Sequence, residues 1–212
     1  MDAAQLAQRY GYPQEYNRYD TQFQGQKEAI GWAWYDTMTY VSAGSILLTY
    51  FNVVRANLAL GNMEVAGQLA SPKAFFMRAI RVKLNQIMYS TAAAGAAAAQ
   101  TGAIQDQMTL IETGILQLTI GQKIYGQWPL WMLPAGGGNV PFAVSATATV
   151  AQVGQNGFPD SRVVYSLSKP LFIAPQINFK IDLMWPAGAV TTVATAPNIV
   201  VAIDGDLIRP VQ

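Results

Sequence analysis

The chain has 212 residues, 51% of them hydrophobic and 12% charged, with a net charge of +1, no histidine and no cysteine. That length can bury a sizeable core as one β domain without metal or disulfide staples. The missing residue types exclude Ser-His-Asp and Cys-His catalysis and remove the preferred ligands of zinc and copper, while the small net charge leaves no footprint for specific nucleic-acid recognition.

Charged residues are about half as frequent as the ~25% usual in globular domains. A free monomer needs surface charge to stay apart from its copies. A chain so poor in charge is therefore expected to cover much of its exterior against lipid or protein. Lipid spanning by helices is not expected, because no stretch holds ~20 consecutive strongly apolar residues. The uncharged run 124–159 is broken by Pro129, Pro134, Pro141 and a glycine triplet, and the run 183–203 by Pro186 and Pro197. The run 84–105 is rich in Ala, Gly, Gln and Thr. The opening "MDAAQLAQRY" has no basic segment followed by an apolar core, so no secretory signal is expected. Burial against protein remains as the better account.

In chain order, "RYGYPQEYNRYDTQFQGQ" (9–26) is Tyr- and Gln-rich with few aliphatics and cannot build a core of its own. Residues 1–40 read as an N-terminal arm that orders on docking, with Tyr10, Tyr12, Tyr16 and Tyr19 as its anchors and a short helix at "KEAIGWAWYD" (27–36). The body, 41–212, reads in period two, the signature of half-buried strands. "SILLTYFNVV" (45–54) is apolar on both sides and suggests a central strand or an interface face. In "IRVKLNQ" (80–86), Ile80, Val82 and Leu84 oppose Arg81 and Lys83.

The Ala-rich insertion 90–107 is open between a short helix and an extended loop, since alanine favours helix and its two glycines each cost about 1 kcal/mol there. In "GILQLTIGQKIYG" (114–126), Leu116, Leu118 and Ile120 oppose Gln117 and Thr119. "WPLWMLPAGGGN" (128–139) reads as a loop. "PFAVSATATVA" (141–151) alternates through Phe142, Val144, Ala146, Ala148 and Val150, and "SRVVYSLS" (161–168) through Val163, Tyr165 and Leu167. In "PQINFKIDLMW" (175–185), Ile177, Phe179, Ile181 and Leu183 point one way and Gln176, Asn178, Lys180 and Asp182 the other. "NIVVAIDGDLIRP" (198–210) is likewise apolar on both sides and suggests a central strand or an interface face. Roughly eight strands without strand–helix alternation give an antiparallel sandwich or barrel.

Few residues suggest chemistry. The twelve carboxylates leave a glycosidase-type pair formally open, but most sit singly; catalysis is not expected and no cofactor is implied. Asp204 and Asp206 in "IDGDL" are the one close acidic pair. They fit a calcium loop or, preferred, a tight hairpin turn, because Asp-Gly suits positive φ. "PAGGGN" lacks the spacing and the lysine of a phosphate loop and reads as a flexible corner. Arg78, Arg81 and Lys83 form a weak basic patch, read as a solvated or salt-bridged outer face. Trp128, Trp131, Met132 and Leu133 have three readings: a lid folded over the sandwich, a sugar-stacking platform, or anchors of a subunit interface. The low charge favours the last.

At this point two segments suggest a family. "NMEVAGQLASPKAFFMRAIRV" (62–82) and "IETGILQLTIGQKIYGQWPLWMLPAGGG" (111–138) resemble parts of capsid proteins of tailless icosahedral bacteriophages. The corner pattern falls on Lys123, Tyr125, Pro129, Leu130, Leu133, Pro134, Gly136 and Gly137, and "NIVVAIDGDLIRPVQ" (198–212) is similar to the last strands of such shell proteins. The resemblance covers about half of the chain and rests on strand-and-turn patterns. It implies a single eight-stranded jelly roll packed as trimers or pseudo-hexagonal capsomers. The partners it implies are copies of the chain, other capsid proteins and, in some such phages, an internal lipid membrane. The chain is too short for a double jelly roll. The expectation is thus an all-β jelly-roll shell protein of a virion, assembled in the host cytoplasm. A carbohydrate- or receptor-binding jelly-roll module is the rival.

Overall fold

The computed structural model describes residues 27–41, 43–85, 106–133, 140–141, 154–155, 164–192 and 196–211. These form β1 (Lys27–Thr39), β2 (Leu47–Tyr50), β3 (Ala74–Asn85), β4 (Ile115–Ile120), β5 (Lys123–Pro129), β6 (Val140–Pro141), β7 (Gly154–Gln155), β8 (Tyr165–Ile173), β9 (Phe179–Met184) and β10 (Asn198–Pro210). A helix over 106–113 precedes β4.

Two four-stranded antiparallel sheets result, ordered β1-β10-β3-β8 and β2-β9-β4-β5, beside the short β6–β7 pair. The pairing is nested along the chain: β1 with β10, β2 with β9, β3 with β8 and β4 with β5. Two further pairings, β10 with β3 and β9 with β4, knit these hairpin-like pairs into the sheets.

The alternation expected from sequence places the core between the sheets. Leu116, Leu118, Ile181, Leu183, Ile80, Val82, Leu84, Val201 and Ile203 are buried in one cluster. Each such side chain contributes about 1.5–3 kcal/mol on leaving water. Ile120 and Lys123 pair across a two-residue turn, where Gly121 takes φ +60°, the left-handed conformation that tight hairpins require. At one end of the first sheet the opposite face is also covered: Ala74, Phe76, Phe172 and Ile208 form a separate small cluster, with the two rings 4.9 Å apart.

Several expectations are corrected. The segment read as a short helix within the arm, 27–36, lies in β1, paired with β10 over its whole length, so residues 27–39 belong to the sandwich. Ile30, Trp34 and Met38 face the core at every fourth position, and Trp32 between them is exposed. "SILLTYFNVV" holds an edge strand, not a central one, since β2 ends its sheet. "IDGDL" is no turn but the middle of β10, where Gly205 sits at a register break against β3; a Cβ there would stand 1.8 Å from the Phe76 carbonyl oxygen. Glycine is needed for close backbone approach at a bulge. Finally, the loop read from Trp128 begins as the end of β5, followed by a 3-10 turn at Leu130–Met132. Ile177, expected inward, is exposed, and Asp182, expected outward, is buried.

Apart from Pro141 in β6, the strand expected at 141–151 lies outside the described residues, as do most of the insertion 90–107 and Val163.

Candidate functional site

The aromatic segment is divided by the fold. Leu133 and Leu130 are fully or nearly fully buried in the sandwich core, and the Leu133 carbonyl accepts the Val82 N–H at 2.8 Å. That bond draws the chain back onto β3. Leu133 is therefore spent within its own chain and is not free to act as an interface anchor. Trp128 is half-buried against the core, its ring lying over Gly126 and edge-on to Tyr165 at 6.1 Å. Trp131 is left 60% exposed, with Met132 half-buried beside it. Tyr10, Tyr12, Tyr16 and Tyr19 lie outside the described residues.

The acidic pair is tied to the basic residues. Asp204 accepts from Arg81 at 2.6 Å and Asp206 pairs with Arg78, across β10 and β3. This matches the salt-bridged reading of the basic face. Two carboxylates already engaged by guanidinium groups offer a cation little free coordination. Among the described residues, no group of three or more His, Cys, Asp or Glu is placed to hold a metal.

Sequence reasoning reached the segment between β2 and β3 only at its start, in the interface-face reading of 45–54, and missed how it is held. It leaves β2 at Phe51, whose N–H donates to the buried Asp36 carboxylate at 2.7 Å, and returns to β1 at Gly61, which bridges Asp36. Arg55 Nε donates to the same carboxylate at 2.6 Å. The Asn62 side chain accepts from Tyr35 N and donates to the Ala33 carbonyl, both at 2.8 Å, while the Tyr35 hydroxyl donates to the Leu58 carbonyl. Asn57 closes a turn inside the loop through Ala59 N and Leu60 N, each at 2.9 Å. The loop thus covers part of the edge of β1, a site otherwise open to unwanted pairing. Asp36 stands at an inward strand position, which is the one signal that a partner must come from elsewhere.

Burial holds the Tyr50 phenol well above its ordinary pKa, with the Asp36 charge adding to the shift and Arg55 opposing it. The hydrogen bond to Asp36 raises Arg55 in turn, against the effect of burial. Tyr50 is therefore neutral, and its hydroxyl donates to the Ile199 carbonyl at 3.1 Å.

Exposed apolar side chains are numerous. Val41, Ile46 and Leu47 flank the start of β2; Val53, Val54, Leu58 and Leu60 lie on the loop after it; Ile124, Tyr125 and Trp131 lie on or just beyond the edge strand β5. An open cavity of about 390 Å³ is lined by Asn52, Thr119, Asn178, Lys180 and backbone of Gly67 and Gly121. Its one aromatic lining residue, Phe179, is buried in the core, so it presents no exposed ring for stacking a sugar. Among the described residues no helix is long and apolar enough to cross a membrane. Comparison with protein-family models, curated proteins and solved structures gives no match.

Proposed function

We propose that the chain is a virion structural protein whose activity is self-assembly into the icosahedral shell of a tailless bacteriophage, and that its sandwich is a jelly roll. Support for the fold comes from the nested pairing, outermost strand with outermost and innermost with innermost. That is the order one long antiparallel hairpin acquires when rolled into two sheets. A fold does not by itself imply a function.

The observation that carries the functional reading is the surface: fourteen large hydrophobic side chains are exposed among the described residues, on a chain only 12% charged. Scattered exposed apolar residues are ordinary, but sets of them on single loops and edges mark interaction sites. Closed symmetry then repeats one modest interface, each of about 1,600 Å², around a whole particle. Trp131, with the half-buried Trp128 and Met132, makes up the remaining loop anchors, and the tyrosines of the arm are the proposed docking residues beyond the sandwich.

Gradient fractions of the expressed chain, imaged by negative stain, test this. Closed particles of uniform diameter are expected. A monomer or one small fixed oligomer at every concentration would refute the shell reading and turn attention to glycan binding.

A further inference from the structure

We propose that the loop Phe51–Asn62 is a preformed contact surface for a second copy of this chain. The inference rests on the self-assembly reading and names one surface that does the assembling, which is not the aromatic segment after β5.

The loop starts and ends on the same residue of β1: Asp36 holds Phe51 N at one end and bridges Gly61 at the other. A loop closed in this way is compact, so the side chains it carries stay near one another. Four of its twelve residues, Val53, Val54, Leu58 and Leu60, are exposed aliphatics, Leu58 by 71%. A loop that only spans solvent would be expected to carry polar side chains there. Nor is the loop loose. Arg55 and Phe51 on Asp36, Asn62 on Ala33 and Tyr35, and Tyr35 on Leu58 fix its start, middle and end. Such preorganisation lowers the ordering entropy that association would otherwise cost.

Charge decides the occupant. Arg55 is the only charged residue from Phe51 to Asn62, and Asp36 of the same chain neutralises it. A two-fold contact sets a patch against itself, so any net charge would be doubled and repelled; this patch has none to double. Membrane-surface segments instead combine apolar side chains with free lysine, arginine or tryptophan, and the loop offers none of these. The ten of its residues that are exposed or half-buried are fewer than the roughly 20–30 per side in a specific interface. The loop is the apolar centre of the contact, and its surroundings complete it.

Two variants test the surface: Val54→Glu with Leu58→Glu in one chain, and Val211→Glu as a control at an exposed aliphatic beyond the Lys27–Pro210 pair, at the other end of β1 from Asp36. Circular dichroism and thermal melting establish that each variant is folded. Light scattering across a concentration series then reads association, and flotation with vesicles of phosphatidylcholine and phosphatidylserine reads lipid binding. The expected result is that the loop variant needs at least about tenfold more protein to associate, while Val211→Glu behaves as the parent. If the loop variant associates like the parent, the inference fails and self-assembly stands, built on other surfaces. If the parent itself never associates, both fail. If the loop variant loses flotation while association is unchanged, the surface belongs to lipid and the second-copy assignment is overturned.

Discussion

Asp36→Ala is the most informative single perturbation of the fold. The carboxylate is 1% exposed and accepts two short hydrogen bonds, from Arg55 Nε at 2.6 Å and from Phe51 N at 2.7 Å. The third contact, from Arg55 Nη2 at 3.4 Å, is too long to add much. Hydrogen bonds to a charged group contribute about 1.5–3 kcal/mol each. Arg55 keeps a quarter of its side chain in water and recovers solvation when released. The Phe51 N–H does not, because Phe51 is buried. Phe51 also has φ +64°, a left-handed conformation unfavourable for a bulky side chain, and the bond to Asp36 helps to hold it there. The net loss should be about 3–5 kcal/mol, the range for breaking a buried pair by removing one partner. Equilibrium urea unfolding, at concentrations below association, measures it. Limited proteolysis should show new cleavage between Phe51 and Asn62. A loss under about 1 kcal/mol with unchanged cleavage would refute the view that Asp36 pins the loop.

The aromatic segment should divide in stability as it does in structure: Leu133→Ala should cost about 2–5 kcal/mol as a core truncation, and Trp131→Ala less than about 0.5 kcal/mol as a surface change, both read by thermal unfolding below association. Gly205→Ala should cost about 2–4 kcal/mol in the same assay, because its Cβ meets backbone and not a side chain that can swing away. Tyr50 gives a pH signature. Its folded pKa is raised, so the unfolded chain releases this proton first, from about pH 10. The contribution of Tyr50 is whole below that pH and is lost as pH rises from there through the folded value. Unfolding measured above about pH 10 should show a weaker alkaline decline in Tyr50→Phe than in the parent.

Much of the sandwich is legible in local pattern. β3, β4 and β9 alternate apolar and polar residues, and β10, whose first half is apolar on both sides, lies centrally between β1 and β3 with one face buried and the other half-buried. What local pattern hides is set by partners distant in sequence. β1 alternates too, through Ile30, Trp34 and Met38, but its other face is Ala29, Gly31 and Ala33, so the contrast that marks a strand is missing, and Asp36 interrupts the inward series. Its reason is Arg55 and Phe51 N. "Asp-Gly" in β10 mimics a turn, whereas the glycine answers the Phe76 carbonyl across the bulge. Leu133 looks like loop and is core because Val82 draws its carbonyl in. Only the start of the Phe51–Asn62 loop, through Val54, stands out in sequence, as part of an apolar run; its pinning to β1 is a tertiary fact, and Leu58 and Leu60 have no periodicity to notice.

The most direct test of self-assembly through apolar surface is the mass of the purified chain by light scattering, followed over concentration, temperature and salt. Apolar contacts weaken on cooling and are not screened by salt, whereas ionic contacts between exposed groups are screened beyond a Debye length of about 3 Å at 1 M salt. The account predicts mass that grows with concentration, persists in high salt and falls on cooling. A mass independent of concentration, or an assembly that salt dissolves and cooling leaves intact, would contradict it.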